Sequence, residues 1–125
     1  SLERVLAETG RMFSVLIEVN CSGETSKTGI DVESAESLLL SVLAACRHLR
    51  VEGLMTIGPL GEGEGRVRKS FAILRELRER LRIASGLVLP HLSMGMSGDF
   101  AWAVEEGSTM VRIGTALFGE RGYDR

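Results

Sequence analysis

Four short apolar runs punctuate this chain at wide intervals: 13–19 (FSVLIEV), 51–57 (VEGLMTI), 92–96 (LSMGM) and 110–113 (MVRI). Each is too short for a stable helix, and the nearly continuous apolar character fits strands buried on both faces. The segments between them carry helical periodicity rather than two-residue turns. A connection that contains a helix returns the chain to start the next strand in the same direction, so these strands are parallel neighbours and not hairpins. This alternation restricts the chain to βα units.

The intervening stripes can be read directly. Residues 2–9 place apolar groups at 2, 5 and 6 and stop at Gly10, which marks the tail of an amphipathic helix. After the polar loop NCSGETSKTG, Asp31 is positioned to cap a helix with Ala35, Leu38, Leu39, Val42, Leu43, Cys46 and Leu49 on one face. Pro59 and the run GEGEG interrupt the chain as a loop. The helix predicted over 66–84 then aligns Val67, Phe71, Leu74, Leu77 and Leu81, with Gly86 as its stop. The stretch GPLGEGEGRVRKS is not a nucleotide-binding P-loop, because Arg68 stands where glycine must precede Lys69 and Ser70.

With 125 residues the chain makes a single domain, 1–125. Its 15 basic residues are offset by 17 acidic ones and follow no stripe, which excludes an electrostatic nucleic-acid surface. No apolar run reaches the roughly 18 residues of a membrane span, and the first residues lack the charged-then-apolar signal pattern. Cys21 and Cys46 have no ligand-spaced partner, which predicts reduced thiols in a cytoplasmic protein, with Cys46 a small core residue. His48 reads as a surface residue and His91 as the residue leading into a strand. Neither supports a metal site.

The stretch 92–119 carries the chemistry. Ser97 follows LSMGM at the place of a helix N-cap, Gly107 closes that short helix, and MVRI leads to Gly114 and Thr115 ahead of ALF. Two strand ends thereby bring free backbone N–H groups and a hydroxyl each to one region, which is the physics of a phosphate site. The alternatives are that Ser97 is only a cap and Gly114 only a turn. Arg112 lies two residues before Gly114, between Val111 and Ile113. A guanidinium there either pairs with a carboxylate or faces a ligand at the strand's end.

The residues Ser93-Met94-Gly95-Met96-Ser97, Asp99, Gly107-Ser108-Thr109, Val111-Arg112-Ile113-Gly114-Thr115, Phe118-Gly119 and Arg121 resemble the C-terminal signature of the pyridoxal-phosphate homeostasis protein family. The resemblance implies the fold of the alanine racemase N-terminal barrel, a (β/α)8 barrel. It covers essentially all of this chain but about the second half of that fold, strands five to eight. A complete barrel takes roughly 250 residues, so a truncated C-terminal half is expected.

The resemblance also assigns roles. Ser97, Gly114 and Thr115 would hold the phosphate of pyridoxal 5′-phosphate, or an inorganic anion in its place. Arg112 would face the pyridine nitrogen and, because a guanidinium does not give up its proton, would leave that nitrogen unprotonated. Lys27, otherwise a solvated loop lysine, would lie near the phenolic oxygen, and Asn20 would replace a second basic group. Met55, a core residue by default, would touch the ring. The family's imine lysine belongs to its first strand, which has no counterpart here. Cofactor binding by this chain is therefore expected to be weak or absent, with no catalytic residue and no metal. The function implied is cofactor homeostasis without turnover; the rival is a fragment of an alanine-type racemase. The outer edges of the first and last strands, both apolar, predict pairing into a homodimer.

Overall fold

The computed structural model describes residues 2–23, 28–59 and 62–112. In chain order it forms α1 (Leu2–Thr9), β1 (Phe13–Asn20), β2 (Ile30–Asp31), one 3-10 turn (Val32–Ser34), α2 (Ala35–Ala45), β3 (Leu49–Met55), α3 (Glu64–Ser85), β4 (His91–Met96), α4 (Phe100–Glu105) and β5 (Met110–Arg112). All strand pairings are parallel, and the sheet order is β2-β1-β3-β4-β5. The four expected strands therefore lie side by side in the order of the sequence. That order never reverses, and both long helices pack on one face: α2 against β1 and β3, α3 against β3 and β4, and the two against each other. This is the singly wound arrangement of a barrel wall, not the doubly wound sheet in which strand order switches.

The core forms between that helical layer and the sheet. Val67, Phe71, Leu74, Leu77 and Leu81 are all buried, as their spacing along α3 requires. They meet Ile17 and Val19 of β1, Leu54 of β3, and Leu92 and Met94 of β4. Each fully buried side chain of this size stabilises the fold by about 1.5–3 kcal/mol relative to exposure. The β3–β4 contact needs a glycine: a Cβ on Gly53 would stand 2.0 Å from the His91 carbonyl oxygen. Gly86 ends α3 in the left-handed region at φ 78°, and Gly107 follows α4 at φ 106°.

Several expectations change. Burial along β1 alternates, with Ile17 and Val19 buried and Leu16, Glu18 and Asn20 half-buried, because helices cover only one face of this sheet. Asp31 does not cap the long helix. It pairs as part of β2 beside Asn20 and precedes the 3-10 turn, and α2 starts only at Ala35. Leu49 belongs to β3, paired opposite Phe13, rather than to the helical stripe. Helix α3 begins at Glu64 with Gly63 as its cap, so the end of the GEGEG run is helical and not loop. Cys46 is only half-buried, since α2 ends at Ala45, and Cys21 is the core thiol.

Candidate functional site at the strand ends

Because the strands are parallel, their C-terminal ends share one rim, which collects Asn20, Met55, Met96 and Arg112. Register places Glu18 beside Met55, Met55 beside Ser93, and Ser93 beside Met110. By alternation Asn20, Met55, Ser93 and Arg112 share the face opposite α2 and α3. Three residues chosen from the sequence, Asn20, Met55 and Arg112, are thus brought to one side of one rim. Lys27, Gly114 and Thr115 lie outside the described residues.

Arg112 has no carboxylate partner among the described residues. Its Nη1 donates to Ser93 Oγ at 3.2 Å and its Nη2 to the Thr56 carbonyl oxygen at 3.4 Å. Both acceptors are neutral, so among the described residues nothing cancels the guanidinium charge at the rim. Asn20 has a local task as well. Its Oδ1 accepts the N–H groups of Ser22 (3.1 Å) and Gly23 (3.3 Å) and the Ser22 hydroxyl, the Asx arrangement that organises the loop after β1.

The turn after β4 differs from the expected cap. Asp99, not Ser97, occupies the N-cap position of α4, and its carboxylate turns back to accept the Met96 N–H at 2.7 Å. Asp99 N in turn donates to the Met96 carbonyl at 3.1 Å, which closes a tight turn around Ser97 and Gly98. Among the described residues, none hydrogen-bonds to the half-buried Ser97 hydroxyl. Gly95 enters this turn at φ 104°, and a Cβ there would lie 2.5 Å from the Ala103 Cβ, so glycine lets α4 sit directly on β4.

Sequence reasoning gave no role to Thr56, whose small polar side chain in an apolar run was its only signal, and quoted Ser93 only as part of the 93–97 signature. Thr56 is fully buried. Its hydroxyl donates to the Val19 carbonyl at 2.6 Å, and its N–H donates to the Ser93 carbonyl at 3.0 Å. Cys21 beside it is no nucleophile. Burial pushes its thiol up to about 11, against a smaller lowering by the Thr56 hydrogen bond, so it stays protonated at neutral pH. Among the described residues no cluster of histidine, cysteine or carboxylate side chains could hold a metal ion. The described part of the rim offers a cation held by neutral acceptors, hydroxyls and backbone polar groups, which suit an anionic ligand.

The in-order parallel βα units are those of a barrel wall of the racemase class, and the chain belongs to the alanine racemase N-terminal domain family, whose family model matches residues 1–122. It is similar to the pyridoxal phosphate homeostasis protein of Aquifex aeolicus, 52% identical over 109 residues that cover 87% of this chain and 47% of that protein. Its fold is similar to that of PipY from Synechococcus elongatus solved with pyridoxal phosphate bound, at TM-score 0.80 and 34% identity over 94% of this chain and 54% of that one. It also resembles alanine racemase from Corynebacterium glutamicum, at TM-score 0.70 and 25% identity, covering 98% of this chain but 36% of that one. The chain spans about half the length of the curated relatives it matches. No described helix is long and apolar enough to cross a membrane.

Proposed function

We propose that this chain supplies the phosphate and ring contacts of a pyridoxal 5′-phosphate-binding protein that serves cofactor homeostasis, as a single-domain portion of a barrel and without turnover. The observation that carries the reading is the common rim of Asn20, Met55 and Arg112, with Arg112 held by neutral acceptors and the Ser97 turn beside it. When bound, the cofactor supplies an aldehyde and an electron-accepting ring. Arg112 would hold the ring nitrogen as an acceptor without giving it a proton. Met55 would pack on the ring, and the Ser97 hydroxyl, with Gly114 and Thr115, would hold the phosphate. Lys27 would approach the phenolic oxygen, and Asn20 would order the neighbouring loop. We further propose a cytoplasmic setting and pairing of two copies through the open sheet edges.

The higher identity to homeostasis proteins favours this reading over a racemase fragment. NMR titration of the 125-residue chain tests it. Pyridoxal 5′-phosphate should shift the Ser97, Gly98 and Arg112 resonances reversibly at millimolar concentration. Borohydride should trap no lysine adduct at a defined position. Shifts scattered over the surface, with none at the rim, would overturn the assignment.

A further inference from the structure

We infer that Ser93 and Thr56 are positioning residues that aim the Arg112 guanidinium. The inference rests on the reading of Arg112 as the ring-facing group. Arginine is long and many-jointed, and a guanidinium at an open strand end would ordinarily sample many rotamers. Here two of its nitrogens are tied to acceptors from two other parts of the sheet. Nη1 donates to Ser93 Oγ on β4 at 3.2 Å, and Nη2 donates to the carbonyl oxygen of Thr56, just past β3, at 3.4 Å. Two such points fix both the plane and the direction of the group.

The acceptors are themselves buried and hydrogen-bonded. Ser93 is 5% exposed and Thr56 is fully buried. The Thr56 N–H donates to the Ser93 carbonyl at 3.0 Å, so the two acceptors are bonded to each other. The Thr56 hydroxyl donates to Val19 of β1 at 2.6 Å. One threonine therefore links the ends of β1, β3 and β4, and through its carbonyl the side chain of β5. A carboxylate in the place of Ser93 would hold Arg112 more strongly but would neutralise it. A hydroxyl and a carbonyl orient the cation and leave its charge and its remaining N–H groups for a ligand acceptor.

The test uses the 125-residue chain and its Ser93→Ala, Ser93→Thr and Arg112→Ala variants. Nitrogen-15 relaxation at Arg112 Nε reads guanidinium order directly, and pyridoxal 5′-phosphate titration reads its consequence. The wild-type guanidinium should be ordered on the picosecond–nanosecond scale, mobile in Ser93→Ala, and ordered again in Ser93→Thr. Apparent affinity for pyridoxal 5′-phosphate should fall roughly five- to tenfold in Ser93→Ala, the net worth of one ordinary hydrogen bond felt indirectly through Arg112. A guanidinium as mobile in the wild type as in Ser93→Ala overturns the positioning role. So does an unchanged affinity in Ser93→Ala when Arg112→Ala weakens binding. An unchanged affinity in Arg112→Ala instead removes the ring contact itself, and the positioning role with it.

Discussion

The Arg75 guanidinium holds Glu106 at two points, donating from Nη1 to its carboxylate at 2.7 Å and to its backbone carbonyl at 2.9 Å. Arg68 adds a second contact to the same carboxylate at 3.1 Å and also pairs with Glu105 and Glu64. The pairs fasten the end of α4 to α3. Helix α4 connects the Ser97 turn to β5, so these pairs anchor the connection between two neighbouring strands of the rim.

This pairing predicts a pH signature. Hydrogen bonding to Arg75, ahead of the opposing effect of burial and a further bond to Arg68, holds the Glu106 carboxyl below its ordinary value. A depressed folded-state pKa contributes stability that is present above the unfolded pKa and lost as pH falls through the folded value. Arg75→Ala should therefore cost about 1 kcal/mol at neutral pH, a modest figure because the half-exposed guanidinium is screened by solvent. The difference from wild type should shrink as pH drops below the ordinary carboxylate range. Urea unfolding at a series of pH values measures it, and a difference that persists undiminished in acid would contradict the linkage.

Two glycines should respond in opposite senses. Gly53→Ala puts a Cβ 2.0 Å from the His91 carbonyl, so β3 and β4 must separate, and a loss of about 3 kcal/mol or more is expected. Gly65→Ala, in the first turn of α3 with nothing within 4 Å of the new carbon, should stabilise by about 0.5 kcal/mol through helix propensity. Thermal unfolding of the two variants decides it.

Ser97→Ala should weaken pyridoxal 5′-phosphate by about 1.5–3 kcal/mol, the worth of a hydrogen bond to a charged oxygen, and leave unphosphorylated pyridoxal unaffected. Equal losses for both ligands would move Ser97 away from the phosphate.

The open edges predict association. Residues β2 covers on β1 are only Val19 and Asn20, and among the described residues nothing pairs with the outer side of β5. Phe13 and Met110 are 45% and 43% exposed at these margins. Two copies related by a two-fold axis would join β1 of one to β5 of the other in parallel and enclose both open faces. Light scattering at micromolar concentration should give twice 13.6 kDa, and a monodisperse 13.6 kDa species would refute the pairing.

The sequence by itself determined the succession of strands and helices, the buried stripe of α3, the stops at Gly86 and Gly107, and the signature that places Arg112 and Ser97 at strand ends. These depend on periodicity and local backbone preference, which act within a few residues and are written in the residue order. Tertiary structure alone decided the rest. Ser97 and Asp99 are equally competent caps on paper; the Met96 N–H, fixed by the end of β4, takes the Asp99 carboxylate and settles the choice. The five-residue step from Ala45 to Arg50 gives no hint that the stripe breaks before Leu49; pairing with Phe13 draws that leucine into β3. Nor does the sequence reveal that Thr56, Ser93 and Arg112 form one unit, since 37 positions separate Thr56 from Val19 and 56 separate it from Arg112. Hydrogen bonds across such separations exist only once parallel strands have been laid edge to edge, because it is the sheet register, not the chain, that brings donor and acceptor within reach.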